Sequence, residues 1–299
     1  MSYILSVDGG GSKTTYCLYN IENKEKFYFK GKSTNYKNIG INKTKENIKI
    51  SMEEILNLNK LDSSQIKYYV FGLSGCDTEE DYKLFRDILS SIKVPNDNSI
   101  IMNDAELAYK SVYFNKEGGI LAAGTGSIGF AFLKDKVIRL GGWGSELSDL
   151  GSGYWIGKKF LEKYLLYLEG LEEDNIFSIF NKEIKKVETI LEEYKTVTKI
   201  ASAAKFVIEN YHNSQLCKKI VDEAITELSK IVLKIIKLIE KKEVNIVISG
   251  SIASNKIIYE NLLNKVNKLE KIKKVNFIIN NSNITDGGIK VAFNNFKID

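Results

Sequence analysis

Residues 1–20, MSYILSVDGGGSKTTYCLYN, decide the fold of this chain. The apolar run 3–7 predicts a buried strand, and residues 14–19 predict a second strand soon after three glycines. The glycines therefore close a hairpin, whereas a Walker loop or a Rossmann fingerprint would continue into a helix. Successive glycines let the backbone approach an anion closely, and their N–H groups can line a phosphate. Taken alone, the motif fits equally a tight turn in which the glycines serve only the geometry.

A second glycine hairpin follows later in the chain. Residues 119–123 and 128–133 predict strands on either side of the turn 124–126, within the stretch AAGTGSIG. The two hairpins form a weak internal repeat of fold rather than of sequence. Because each hairpin opens a module, we expect two modules that both contact one polyphosphate.

Strand and helix patterns alternate through the rest of the chain, which predicts an α/β fold. Further strands are predicted at residues 25–31, 67–73, 99–103, 244–248 and 274–279. Helices are predicted at residues 43–58, 79–92, 105–113, 155–171, 178–194, 199–211, 214–242, 257–266 and 287–296.

The composition of the 299 residues limits the classes of function. With 43% hydrophobic and 27% charged residues, the chain is long enough for two domains that each bury a core. No apolar run approaches the roughly 20 residues of a membrane span, and the start leads into a strand without the pattern of a secretory leader. The net charge of +5 comes from dispersed lysines, so we expect no nucleic-acid partner. Three widely spaced cysteines suit a reducing cytoplasm.

Two aspartates stand at the ends of predicted strands. Asp8 ends the first strand, where a carboxylate can hold a hydrated Mg²⁺ ion. Asp104 follows strand 99–103, at the edge where open α/β sheets bind ligands. There a carboxylate can accept the proton of a sugar hydroxyl during phosphoryl transfer. Asp104 is equally suited to capping the helix that begins near Ala105, and the residues alone do not decide between the two roles.

Two further segments carry chemistry. The stretch GGWGSELSDLGSGYWIG at residues 141–157 can stack an aromatic side chain on a sugar face and offers Asp149 for sugar hydroxyls, or it is a glycine-rich turn into a helix whose Trp155 lies in the core. The stretch VISGSIAS at residues 247–254 exposes backbone at Gly250, which can pack on an adenine or a ribose. An ordinary strand-to-helix turn explains the second stretch equally well.

Taken together, these segments resemble the N-acetylglucosamine kinase-like branch of the BadF/BadG/BcrA/BcrD ATPase family, within the sugar kinase, heat-shock cognate and actin superfamily. The motifs that carry the resemblance run in the family's order along nearly the whole chain. They are DGGGSKT at 8–14, STN at 33–35, LSGCD at 73–77, NDA at 103–105, GTGS at 124–127, GGWG at 141–144, GSGYWIG at 151–157 and SGSIA at 249–253.

The resemblance implies two ribonuclease-H-like domains of the actin-type ATPase fold, with the nucleotide and the sugar in the cleft between them. The N-terminal domain would cover residues 1–116, and the C-terminal domain would cover residues 117–286 and include a helical insertion. A final helix, about residues 287–299, would pack back on the first domain.

The resemblance also implies Mg²⁺-dependent transfer of the γ-phosphate of ATP to the 6-hydroxyl of an amino sugar, N-acetylglucosamine first. Asp104 is implied as the catalytic base, and Asp8 as the magnesium-side acid that acts mostly through water. The residues implied around the sugar are Asn35, Ser74, Asp77, Trp143, Gly144 and Asp149. Those implied for the nucleotide are Gly10, Gly11, Ser12, Lys13, Thr14, Thr125, Gly126 and Gly250.

The chain departs from the family pattern at two positions. Leu150 stands where the usual GDEG has glutamate, and Asp286 stands where many relatives have a small or apolar residue. The first departure leaves the sugar open, with N-acetylmuramic acid and glucosamine as alternatives. Two other functions stay open: an ATPase activator of a 2-hydroxyacyl-CoA dehydratase, which needs paired cysteines for an iron–sulfur cluster, and a sugar-sensing protein without turnover. The oligomeric state is open too, a homodimer included.

Overall fold

The computed structural model describes residues 1–114, 116–134, 136–180 and 186–298. The chain divides into two units, Met1–Asn115 with Asn280–Asp299, and Lys116–Ile279. Each unit contains one five-stranded mixed sheet with helices packed on it, so the predicted α/β fold is confirmed. The chain returns to the first unit at Asn280. The side chain of Asn280 donates to the Ala108 carbonyl and to Ser111 Oγ of that unit, both at 3.3 Å.

The sheet of the first unit has the order β3-β2-β1-β4-β5. Its strands are β1 (Tyr3–Gly9), β2 (Lys13–Asn20), β3 (Lys26–Lys32), β4 (Ile66–Leu73) and β5 (Ser99–Asn103). The first three strands pair antiparallel, and β1, β4 and β5 pair parallel. The central strand β1 is an almost continuous buried run, as expected for a strand covered on both faces, whereas β3 at the edge alternates exposed and half-buried residues.

Helices cover both faces of this sheet. They are α1 (Tyr36–Ile39), α2 (Ile41–Leu58), α3 (Glu79–Ser91), α4 (Asp104–Val112) and α11 (Thr285–Phe296). Successive side chains of β1 point to opposite faces, so Leu5 packs in the core formed with α2 and α3, while Ile4 packs in the core formed with α4 and α11. The last helix of the chain is therefore part of the first unit's second core.

The sheet of the second unit repeats the same plan with the order β10-β9-β6-β7-β8. Its strands are β6 (Gly118–Ala123), β7 (Ser127–Phe132), β8 (Val137–Gly141), β9 (Glu243–Ser249) and β10 (Lys274–Ile279). As in the first unit, the first three strands pair antiparallel, and β6, β9 and β10 pair parallel. The internal repeat of fold is thus real, although the sequence did not predict β8.

Six helices are described in the second unit. They are α5 (Gly153–Leu168), α6 (Phe177–Phe180), α7 (Val187–Glu193), α8 (Val197–Glu209), α9 (Gln215–Leu238) and α10 (Lys256–Leu269). The predicted helix 178–194 falls on α6 and α7, while its residues 181–185 lie outside the described residues. Within the described ranges, no helix combines the length and the apolar character that crossing a membrane requires.

Candidate functional site

The three parallel strands of the first unit end in one line. In register, Gly9 pairs with Leu73, and Leu73 pairs with Asn103. The segments that follow each strand therefore start at the same edge of the sheet, which is where α/β sheets bind ligands. The backbone N–H of Ser74 donates to the Gly9 carbonyl at 2.7 Å, which ties two of these segments together.

The first glycine turn is stabilised by hydrogen bonds to the start of β2 and from the segment STN. Gly10 N–H donates to the Lys13 carbonyl at 3.0 Å and closes the hairpin. Ser33 Oγ donates to the Gly11 carbonyl at 2.9 Å, and the hydroxyls of Thr14 and Thr34 lie 3.1 Å apart in a buried position. The turn therefore leaves Gly11, Ser12 and Lys13 exposed, with their polar groups available to an anion.

Asp8, the penultimate residue of β1, lies in a site that disfavours its charge. Burial raises the pKa of this carboxyl to about 6, against the lowering effect of the Lys13 charge. A cation beside Asp8 would relieve that cost, so the residue fits a role next to Mg²⁺. In the described ranges no group of three His, Cys, Asp or Glu side chains could hold a metal by itself. A magnesium ion here would thus need water and phosphate oxygens as well, which is its usual coordination in phosphoryl-transfer sites.

Asn103, the residue before Asp104, takes one of the two roles that the sequence left open for Asp104, namely the cap of the following helix. Asn103 is the N-cap of α4, and its Oδ1 accepts from Ala105 N–H at 2.9 Å. Asp104 is the first helical residue, and its Oδ1 also accepts from that N–H at 2.9 Å. Burial, followed by the charges of Asp8 and Asp77, raises the pKa of Asp104 to about 7. The helix thus has its cap in Asn103, and Asp104 has the proton affinity of a base that works near neutral pH.

The first unit brings its three predicted sugar residues to this edge. Asn35 Nδ2 donates to Ser74 Oγ at 3.1 Å. Asn103 Nδ2 donates to Asp77 Oδ1 at 2.9 Å, which links Asp77 to the strand end that carries Asp104. The sequence analysis did not include Asn103 among the candidate site residues, although it is part of the motif NDA.

A second missed cluster fixes the segment after β4. Lys37 Nζ lies 2.9 Å from Asp77 Oδ2 and 3.1 Å from Asp81 Oδ2, and the Tyr36 hydroxyl donates to Asp81 Oδ1. Burial would raise the pKa of Asp81, but these bonds and those from the backbone N–H groups of Asp77 and Thr78 lower it to about 2. The sequence signal was the capping box that Thr78 and Asp81 form at the start of α3.

The second glycine turn rests on the start of α5. Gly124 N–H donates to the Gly126 carbonyl at 2.9 Å, and Gly153 N–H donates to the Gly124 carbonyl at 2.7 Å. Tyr154 N–H donates to the Thr125 carbonyl at 3.1 Å. The turn is thereby held by backbone groups on both sides, which gives Thr125 and Gly126 a fixed place.

Asp149 lies against this turn, away from the exposed part of its loop. Its φ of 52° is in the left-handed region, which is uncommon for a residue with a side chain. A Cβ atom at Gly126 would lie 2.6 Å from Asp149 Oδ2, so only glycine leaves room for the carboxylate. Trp143, from the same loop, is 64% exposed and Leu150 is 43% exposed. The loop thus directs Asp149 to the glycine turn and leaves the indole at the surface.

Gly250 joins the same end of the second sheet. Its φ of 87° turns the chain so that the N–H groups of Ile252 and Ala253 donate to the Ala123 carbonyl at 2.9 and 3.1 Å. A Cβ at Gly124 would lie 3.8 Å from Ser251 Oγ. The second unit therefore brings Thr125, Gly126, Asp149 and Gly250 together, whereas Trp143 and Gly144 stand on the exposed side of the loop.

Curated relatives of this chain include two proteins with related names. The N-acetylmuramic acid/N-acetylglucosamine kinase of Clostridium acetobutylicum is 31% identical over 271 residues, which cover 85% of this chain and 87% of that protein. The N-acetyl-D-glucosamine kinase of Dictyostelium discoideum is 31% identical over 170 residues, 54% of this chain and 53% of that protein.

Solved structures show the same fold at lower identity. A chain from Chromobacterium violaceum, described provisionally as an N-acetylglucosamine kinase, superposes with a TM-score of 0.79 at 17% identity and covers 98% of this chain and 99% of its own length. The family model of the BadF/BadG/BcrA/BcrD ATPase family matches residues 5–284. Since that match spans nearly all of the chain, and the Clostridium relative shares 31% identity across 85% of it, the protein belongs to the BadF/BadG/BcrA/BcrD ATPase family.

Proposed function

We propose that the protein is an ATP-dependent kinase that phosphorylates the 6-hydroxyl of an amino sugar, N-acetylglucosamine or its close relatives N-acetylmuramic acid and glucosamine. The observation that carries the proposal is Asp104, a carboxyl with a pKa of about 7 at the edge of the sheet where Asn103 and Asp77 meet. The names of the Clostridium and Dictyostelium relatives support the class of substrate.

In the proposed reaction Asp104 accepts the proton of the sugar hydroxyl as the oxygen of that hydroxyl bonds to the γ-phosphorus of ATP. The bond from that phosphorus to the β–γ bridging oxygen breaks, and ADP leaves with the negative charge. Phosphoryl transfer requires little covalent chemistry from the protein, so positioning and charge stabilisation dominate. A base contributes most when its pKa lies near the working pH, which suits the value of Asp104.

For the nucleotide we propose the two glycine turns. Gly10, Gly11, Ser12, Lys13 and Thr14 offer donors at the first turn, and Thr125, Gly126 and Gly250 offer donors and open backbone at the second. Bound Mg²⁺ supplies charge neutralisation on the phosphates. Asp8 is the residue that we assign to it, through water, because burial makes its carboxylate costly without a nearby cation.

For the sugar we propose Asn35, Ser74 and Asp77 from the first unit and Trp143, Gly144 and Asp149 from the second. The 64% exposed indole of Trp143 offers a flat apolar surface, and sugar rings pack on such surfaces. The other residues offer amide, hydroxyl and carboxylate groups to sugar hydroxyls. The Asp149 carboxylate also lies against Gly126, which we assign to the nucleotide. We therefore propose Asp149 for the point where the sugar meets the phosphate.

The test is a panel of sugars with Mg-ATP and the purified full chain. N-acetylglucosamine, N-acetylmuramic acid and glucosamine are compared with glucose, ADP release is followed, and the product is identified by phosphorus NMR. At least one amino sugar should give its 6-phosphate with one ADP per product. ADP release that no sugar stimulates would refute the kinase proposal and would favour an ATPase activator.

We also propose the cytoplasm as the location, because Cys17, Cys76 and Cys217 are free and buried, which suits a reducing compartment. A homodimer stays a prediction.

A further inference from the structure

Arg139 is one of two arginines in the chain and lies on β8, just before the loop that carries Trp143. Its Nε donates to the Gly141 carbonyl at 3.0 Å, and its Nη2 donates to the Gly142 carbonyl. The carbon atom of the guanidinium lies 3.9 Å from the centre of the Trp143 ring. One side chain thus contacts two successive backbone carbonyls and the indole that follows them.

Packing confines the backbone before Trp143 but not after it, since a Cβ at Gly142 would lie 2.6 Å from Ile128 Cδ1. Gly141, Gly142 and Gly144 have φ values of 71°, 74° and 111°, in the region that glycine adopts most readily. A Cβ at Gly144 would have no atom within 4 Å, so packing does not confine that residue. Trp143 itself is 64% exposed. The contacts of Arg139 therefore supply order that Gly144 and the exposed indole lack.

We propose that Arg139 is a positioning residue that holds the Trp143 indole in place for the sugar, a role that rests on the proposed kinase function. The guanidinium covers one face of the ring, and the exposure of the indole leaves the other face to a ligand. A planar fork can bond two carbonyls and stack on a ring at the same time. A lysine ammonium can lie over the ring but cannot reproduce the fork.

The experiment compares Arg139→Gln and Arg139→Lys with Arg86→Gln in the full chain. Arg86 is the matched control, because it is the other arginine and bonds Ser99 Oγ at 2.9 Å from α3 in the first unit. Each variant is also made with Trp155→Phe, which leaves Trp143 as the only tryptophan of the chain. The measurements are kcat, KM for sugar and ATP, and the anisotropy and acrylamide quenching of Trp143 fluorescence.

Arg139→Gln should raise KM for the sugar about tenfold, with KM for ATP unchanged and kcat within about twofold, since a cation–π contact and two hydrogen bonds are lost. The anisotropy of Trp143 should fall and its quenching should rise without any ligand. Arg139→Lys should lie between wild type and Arg139→Gln, and Arg86→Gln should match wild type in every measurement.

Three outcomes would overturn the inference. The first is a KM and an anisotropy in Arg139→Gln that equal those of Arg86→Gln. The second is a raised KM with unchanged anisotropy, which would make Arg139 a direct sugar contact. The third is a raised KM for N-acetylmuramic acid but not for N-acetylglucosamine, which would assign the guanidinium to the substrate carboxylate. A wild-type chain without sugar-dependent turnover would refute the kinase function instead, and the anisotropy would still test the positioning of the indole.

Discussion

Replacing Asp104 by Asn should abolish most turnover and, at the same time, stabilise the folded protein at alkaline pH. Loss of a general base lowers kcat by about 10²- to 10⁴-fold. The gain in stability follows from the charge that the substitution removes. In the folded chain the Asp104 carboxylate is buried and faces the charges of Asp8 and Asp77, and these effects raise its pKa from 3.8 to about 7.

The pKa values fix both the size and the sign of the stability change. A rise from 3.8 to about 7 corresponds to an upper limit of about 4 kcal/mol. Below pH 3.8 the carboxyl is protonated in the folded and the unfolded chain, so its ionisation costs nothing. As pH rises towards 7 the unfolded chain ionises first, and folding loses stability. Asparagine stays neutral, so the difference in unfolding free energy between variant and wild type should grow between pH 4 and pH 7 and then level off.

The assay is urea unfolding at several pH values without ligands, beside sugar-dependent ADP release at pH 8. Asp87→Asn is the control, since Asp87 is an exposed aspartate of α3 and the same chemical change there should alter neither quantity. A variant Asp104→Asn that is less stable than wild type at pH 8 would refute the electrostatic reasoning. Turnover within a few-fold of wild type would remove Asp104 as the base.

Three other predictions concern the same groups. Because the base must be deprotonated and the pKa of Asp104 is raised to about 7, kcat/KM for the sugar should fall about tenfold per pH unit below pH 7, and a flat profile between pH 5 and 8 would contradict this. Asp8→Asn should raise the Mg²⁺ concentration for half-maximal turnover by about 10- to 100-fold, as expected for a group that orients water on the ion, and an unchanged requirement would exclude the role. Gly126→Ala should raise KM for ATP about fivefold or more, because the added Cβ would lie 2.6 Å from Asp149 Oδ2, whereas Gly124→Ala in the same turn meets its nearest atom at 3.8 Å; equal effects of the two substitutions would count against the contact.

The parts of the fold that local patterns encode were predictable. The apolar run of β1, the glycines and the strand after them are adjacent in sequence, so their pairing follows from the chain itself. The short strand β8 (Val137–Gly141) was not predicted. It has one exposed and four half-buried residues with no alternation, and its place depends on pairing with β7 at the edge of the sheet. Edge strands of this kind depend more on tertiary contacts than on their own residues.

The sequence offered candidate residues for the site but not their arrangement. Asn103 and Asp104 are adjacent and both are good helix caps, so sequence could not tell which of them caps α4. The contact of Asp149 with Gly126 joins residues that the sequence assigned to different ligands, the sugar and the nucleotide. The proposed role of Arg139 had no signal in the sequence, since an arginine in the middle of a short edge strand is ordinary until its partners are known.

The electrostatics of the first unit link Asp8 to Asp104. Asp8 and Asp104 each have a raised pKa, and the charge of Asp8 is among the causes at Asp104. When both carboxyls are ionised, their burial and mutual repulsion destabilise the folded protein without ligands. A cation with its phosphates would relieve that cost. With the roles proposed for them, such a site trades stability for function, because the charges that cost folding energy are those assigned to the cation and to the proton. Asp81 shows the contrast in the same unit: with Tyr36 and Lys37 as partners its pKa is lowered to about 2, so it is a permanent anion that holds a segment in place and has no proton to exchange near neutral pH.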